Sequence, residues 1–171
     1  MKCPNCGKEM KSKIRDYEYT ESGLKNVILK NIRVHECKGC GEVLPEIQNV
    51  KQIHEWIAEY LVKKKSPLTG EEFRFLRKQL GMSAKEMAEY LTVDPVTISR
   101  WETNKAKIGP QSDRLLRMAF ILNPTQARFA ATKLLELARS IFQLTLTGIP
   151  RAAVIEITPR PARHRESHVG E

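Results

Sequence analysis

Apolar residues recur along this chain with two different periods, and the change of period divides it. Met10 to Tyr19 and Val27 to Glu36 carry strand-type patterns, the second rich in the β-branched residues Val27, Ile28, Ile32 and Val34. Glu21-Ser22-Gly23 between them is a turn signal, so the pair predicts a strand and its return. After Pro45 the spacing becomes helical. Val50, Ile53, Ile57, Tyr60 and Leu61 fall on one face of a helix of about four turns. Lys63-Lys64-Lys65 suits the end of that helix, and Ser66 precedes a proline, so a short linker is expected over 63–68. Residues 69–123 read as four or five short helices. Pro124 interrupts them, and a further helix is expected from about Thr125 to Thr145. A short strand is expected within Ala152 to Ile157, and the last ten residues read as disordered. The fold class is therefore α+β, with strands first and helices after.

A chain of 171 residues has room for one medium domain or two small ones. No uncharged apolar stretch approaches the length of a membrane span, and no apolar core follows Met1-Lys2-Cys3-Pro4. The expectation is a cytoplasmic protein without a membrane partner. The net charge of +9 fits a polyanionic partner. That excess is spread along the whole chain, so charge alone does not identify the partner.

The four cysteines change the picture. Cys3-Pro4-Asn5-Cys6-Gly7 and Cys37-Lys38-Gly39-Cys40-Gly41 are two C-x-x-C-G knuckles, with 30 residues between Cys6 and Cys37. Two residues between thiols let one tight turn present both sulfurs to a tetrahedral Zn²⁺ at ~2.3 Å. All four cysteines are used, which predicts one structural Zn²⁺ per chain held by Cys3, Cys6, Cys37 and Cys40. A closed shell of four thiolates leaves no open position for catalysis. So small a module is expected to draw its folding free energy from the metal. Lys2, Lys8 and Lys38 stand beside the thiolates and offset their charge. A dithiol redox switch is the competing reading, but no βαβ pattern accompanies these cysteines. His35 is read as a strand-surface residue, and His164 and His168 as parts of a solvated tail.

Residues 69–123 carry a helix-turn-helix pattern. Phe73, Leu76 and Leu80 share a face of a first helix, which Gly81 ends. Ser83-Ala84-Lys85-Glu86 is a capping box for the second helix, which runs through Met87, Ala88 and Leu91. Thr92-Val93 makes the turn. Asp94 caps the third helix, with Pro95 at its first position. Ile98 and Trp101 face the core, which turns Val96, Thr97, Ser99 and Arg100 outward, as on a recognition helix in the major groove. Arg100 suits a guanine edge, while Val96 and the Thr97 methyl suit a thymine methyl. Ser83, Lys105 and Lys107 suit phosphates. A fourth helix follows Pro110, using Leu115, Leu116 and Ala119.

The expected organisation is thus a zinc-binding module with trailing helix (1–62), a linker (63–68), an all-α helix-turn-helix DNA-binding domain (69–123), an extension helix (124–147) and a partly disordered tail (148–171). Ala130, Leu134, Leu137, Ile141 and Leu144 step by four and three, an a/d seam over two heptads. The seam either dimerises through Leu134, Leu137, Ile141 and Leu144 or packs against the chain's own core.

Residues 75–104, FLRKQLGMSAKEMAEYLTVDPVTISRWETN, resemble the helix-turn-helix of the phage-repressor-like (Xre) family. Placed behind CPNCG and CKGCG, they give an order that resembles the MqsA-type antitoxins with a YgiT-type zinc finger. That resemblance, over roughly residues 1–123, implies a type II toxin–antitoxin system. It implies a zinc domain that binds a small ribonuclease-type toxin, and a helix-turn-helix that dimerises and represses from a palindromic operator in double-stranded DNA. It makes Cys3, Cys6, Cys37 and Cys40 the zinc ligands and Arg100 a base reader. Val96 and Ala84 stand where related domains often carry Asn or Gln. A stand-alone regulator with a structural or sensing zinc module is the alternative. No enzyme is expected: His54-Glu55 lacks the second histidine of H-E-x-x-H, and G-x-S-x-G and P-loop motifs are absent.

Overall fold

The computed structural model describes residues 1–123, 135–136, 138–141 and 153–159. Its first layer is a small sheet. Strand β1 (Met10–Glu18) pairs antiparallel with β2 (Val27–Cys37), from Met10 opposite Cys37 to Glu18 opposite Ile28. The register slips between Arg15 and Tyr17, where Asn31 takes a φ of 56° and its N–H donates to Asp16. A 3-10 turn (Thr20–Ser22) and Gly23, at φ 79°, connect the strands. The slip explains the burial of β2: Val27 and Leu29 point into the core before it, Ile32 and Val34 after it. A third strand, β3 (Val43–Pro45), pairs antiparallel with Val34 to Glu36 of β2. It was not expected from the sequence, being only three residues long and ending on the proline.

Helix α1 (Val50–Lys63) buries Ile53, Ile57, Ala58, Leu61 and Val62 in one cluster with the sheet. Val50 and Tyr60, expected on that face, are partly exposed at its rim; Ala58 and Val62 take their place. Four helices follow: α2 (Gly70–Gln79), α3 (Ala84–Leu91), α4 (Pro95–Glu102) and α5 (Pro110–Leu122). Both α2 and α3 start in full capping boxes, Thr69 with Glu72 and Ser83 with Glu86. In α5 the buried residues are Leu116, Phe120 and Ile121 together with Asp113 and Arg117, whereas Leu115 is 47% exposed. The expected Leu115 face is therefore rotated by one residue, toward two charged side chains that the core accepts.

One apolar cluster joins the sheet to the helices, from Tyr19 and Leu29 of the sheet region through Ile57 and Leu61 to Phe73, Ile98 and Leu116. The segment 63–68, expected as a linker, is pinned within it. Arg117 is fully buried and donates to the carbonyls of Leu61, Val62, Lys64 and Ser66. Those groups at the end of α1 have no partner within their own helix, so the guanidinium serves as a C-cap supplied by α5. Asp113 holds Arg117 Nε at 2.5 Å and accepts the Leu68 N–H at 2.7 Å. Lys64 and Glu72 form a second buried pair at 2.5 Å.

Of the expected extension helix, residues 135–136 and 138–141 are helical. Ile141 is 1% exposed and belongs to the main core. Leu134, Leu137 and Leu144 lie outside the described residues, as do Ala130 and the last ten residues. The strand expected within Ala152 to Ile157 is β4 (Ile155–Ile157), which pairs parallel with Val27 to Leu29 of β2. No helix among the described residues is long and apolar enough to cross a membrane.

Candidate functional site

The register of the sheet builds the metal site. Met10 opposite Cys37 brings the chain before β1 beside the chain after β2. The first knuckle folds back on itself through Cys3 N–H to Lys8 O (2.8 Å) and Met10 N–H to Met1 O (2.9 Å). The second closes through Cys37 N–H to Glu42 O (2.9 Å). Within each, a glycine N–H reaches the first cysteine's carbonyl at 2.9 Å: Gly7 to Cys3 and Gly41 to Cys37. Gly7 and Gly41 sit at φ 72° and 77°, a backbone that a Cβ would penalise.

The four sulfurs all lie within 4.8 Å of one another, with Cys3–Cys40 at 3.5 Å and Cys6–Cys37 at 3.4 Å. A disulfide needs ~2.05 Å, whereas the edge of a tetrahedron around Zn²⁺ is ~3.8 Å for ligands at ~2.3 Å. The donor set therefore fits a tetrahedral thiophilic ion. Cys3 and Cys37 are buried; Cys6 and Cys40 face outward. The backbone N–H groups of Gly39 and Cys40 lower the Cys37 thiol to about 6, whereas the neighbouring thiols of Cys6 and Cys40 are raised. The Lys8 side chain lies across the second knuckle, so close that a Cβ on Gly39 would meet its Cδ at 2.5 Å. That places the Lys8 side chain against the backbone of the second knuckle.

The second candidate surface is the face of α4. Asp94 accepts the Val96 N–H at 2.7 Å and starts the helix at Pro95. Ile98 and Trp101 are buried against α2 and α3, with Trp101 edge-on to Phe73. Geometry then forces the rest outward: Val96 is 64% exposed, Ser99 and Arg100 are exposed, and Thr97 is half-buried. Thr92, at φ 55°, makes the turn between α3 and α4, and Val93 packs against the core beneath it. Ser83 is exposed at the start of α3, where its oxygen accepts the Glu86 N–H.

Two contacts that the sequence reading missed fix this surface. Arg77 of α2 grips Glu102 of α4 with two bonds, Nε at 2.5 Å and Nη2 at 3.1 Å, while Nη1 holds the Met82 carbonyl at 2.6 Å. Asn104, at φ 56°, accepts the Gly70 N–H at 2.9 Å and donates to both Glu71 oxygens at 3.0 Å. The loop carrying the exposed Lys105 and Lys107 is thereby tied to the first turn of α2. Gly70 is required there, since a Cβ would lie 2.2 Å from the Trp101 carbonyl oxygen. The Thr69-Gly70-Glu71-Glu72 capping signal was present in the sequence; the partners of Arg77 and Asn104 lie 25 and 33–34 residues away and carried no local sign.

A sheet with four cysteines gathered at one end, in one apolar cluster with a helix-turn-helix unit, defines a helix-turn-helix protein with a four-cysteine site positioned to hold a metal ion. Residues 1–121 match the family model described as the antitoxin component of a bacterial toxin–antitoxin system, MqsA, and the chain belongs to that family. Antitoxin MqsA of Escherichia coli (strain K12) is 31% identical over 120 residues, which cover 69% of this chain and 91% of that protein.

Proposed function

We propose that this chain is an antitoxin that also represses its own promoter. The sheet module, held by one Zn²⁺ on Cys3, Cys6, Cys37 and Cys40, binds a small ribonuclease-type toxin. The helix-turn-helix binds a palindromic operator as a homodimer whose half-sites lie about one helical turn, ~34 Å, apart. Family membership supports the antitoxin role. The observation that carries DNA binding is the outward face of α4. Val96, Thr97, Ser99 and Arg100 form a short protruding row on a helix that two buried residues and the Arg77–Glu102 grip hold still. In this reading Arg100 and Val96 meet base edges. Lys105, Lys107 and the Ser83 hydroxyl meet phosphates, which set register without reading sequence.

Titration of the protein against its own promoter DNA and shuffled DNA, over a range of salt, tests this. Arg100→Ala is expected to lose discrimination at one base pair per half-site, about 1–3 kcal/mol. Lys105→Ala is expected to weaken all sequences alike and make the salt slope shallower by about 0.9. A uniform loss for Arg100→Ala makes it a phosphate contact, and a wild type that does not prefer its promoter sinks the repressor reading. For the toxin, the tagged protein is purified from its own host with nuclease present. A stoichiometric small basic partner is expected, and recovery of the homodimer alone would favour the stand-alone regulator.

A further inference from the structure

The family match ends at residue 121, yet residues far beyond it are built into the sheet. Strand β4 lies beside β2 in parallel, Val27 opposite Ile155 and Leu29 opposite Ile157. Because β1 already covers one edge of β2 from Ile28 to Cys37, β4 takes the other edge, the one β3 uses further along. Three kinds of contact hold it. The Ile155 N–H donates to the Asn26 carbonyl at 2.7 Å, and the Asn26 side-chain amide donates to the Ala153 carbonyl. Ile155 and Ile157, 3% and 6% exposed, enter the core beside β2 and α1. Glu156 points out to Lys30, at 3.0 Å, which also holds Asp16 of β1 at 2.9 Å. Main-chain pairing, two side chains in pockets and one charge read on the outer face are what an added strand supplies when it docks on a sheet edge.

The hold is also weak for an integral strand. It is three residues long and parallel, the less stable pairing per residue. The sheet does not need it for its register, which β1 sets along nearly the whole of β2. The family model matches residues 1–121 and so does not include β4. With β4 lifted away, Val27 and Leu29 would present an open edge beside α1, flanked by β3 and by the Lys30 ammonium.

We propose that this edge of β2 is an acceptor site for an extended peptide segment, and that β4 is its built-in occupant. The partner it fits is a protein segment running parallel to β2, with two β-branched apolar residues flanking an acidic one, as in Ile155-Glu156-Ile157. The C-terminal strand then competes with any such segment, and its release opens the site. This holds whether or not the promoter reading above is correct.

The probe is a fluorescein-labelled peptide of residues 151–159, RAAVIEITP, followed by anisotropy against the full chain. In wild type the tethered strand, at an effective concentration on the order of millimolar, masks the site. The full-length double variant Ile155→Asp/Ile157→Asp is expected to bind the peptide at least ~10-fold more tightly than wild type. The same peptide with both isoleucines changed to Asp should not bind, and adding Lys30→Glu to the variant should weaken binding. Equal affinity for wild type and variant, or no saturable binding to a variant with wild-type circular dichroism and metal content, overturns the proposal. Should the double variant not fold, a protease site placed within residues 142–150 of the wild type is cut after folding. Exchange of the severed strand for labelled peptide supports the acceptor site. A severed strand that never exchanges, or leaves without the peptide replacing it, refutes it.

Discussion

His54 shows how one side chain can tie the two halves of the chain together. It projects from α1, meets the Tyr19 hydroxyl with Nε2 at 2.9 Å and Gln79 of α2 with Nδ1 at 3.2 Å, and stands edge-on to Phe75. With the Gln79 amide donating to Nδ1, the neutral ring keeps its proton on Nε2 and gives it to Tyr19, so both nitrogens are satisfied without charge. Burial lowers its pKa below the ordinary 6.5. The consequence for stability has a definite sign. Above 6.5 the ring is neutral folded or unfolded; as pH falls below 6.5 the unfolded chain takes up the proton first, and the folded state loses stability until its own lowered pKa is passed. Urea midpoints between pH 7.5 and 5.5 should therefore fall more steeply for wild type than for His54→Gln, and parallel slopes would mean that the ring is not held neutral. In the sequence His54 showed only as half of an incomplete H-E-x-x-H. Its partners lie 35 and 25 residues away, so its role could not be read locally.

At the scale of elements, a buried polar joint ties the end of α1 to the body of α5. Asp113 and Arg117, four apart on one helix, look in the sequence like a surface ion pair worth a few tenths of a kcal/mol. The structure buries both and spends the guanidinium on four carbonyls of the 61–66 segment. Removing one member of a buried, fully bonded pair leaves the other charge without a partner, which costs about 3–5 kcal/mol. Arg117→Met, which keeps most of the volume, is expected to lower unfolding stability by that amount in urea denaturation; a loss under about 1 kcal/mol would mean the segment is held by other contacts. The elements themselves were legible where their signals are local. The strand pair, the Ser83 capping box, Asp94-Pro95 and the Gly81 stop all fall where the residues place them. Local signals could not reveal that Lys64 is interior between the exposed Lys63 and Lys65, because all three read as solvated until Glu72 is brought against Lys64.

For the whole molecule, the division into parts that the motifs advertise differs from the division of the core. The cysteine spacing declared a metal site and the 75–104 stretch a helix-turn-helix, but neither indicates that the sheet, α1 and the helices share one apolar cluster. Nor could a pattern of periods show that residues 155–157 return to β2. The core divides closer to the cysteines: Cys3, Met10 and Cys37, with Leu44 against them, form a separate small cluster. Such a cluster contributes roughly 1.5–3 kcal/mol per large buried side chain. Ordering the nine residues that precede β1 costs about 1–2 kcal/mol each. The apolar contacts therefore fall short by an amount that a structural zinc site, at about 10–16 kcal/mol, would offset. The main core has no such deficit, since Val27, Leu29, Ile32 and Val34 of β2 are buried in one cluster with Ile53, Ile57 and Leu61 of α1. Chelating the metal, or replacing Cys37 by Ser, is thus expected to release the knuckles and little else. Amide exchange should become fast at Cys3, Met10 and Cys37, while Leu29, Ile57 and Leu116 keep their protection and the helical circular dichroism is retained. If the helical signal is lost together with the metal, the cluster around the thiolates is continuous in energy with the main core, and the metal is a staple for the entire chain rather than for one end of its sheet.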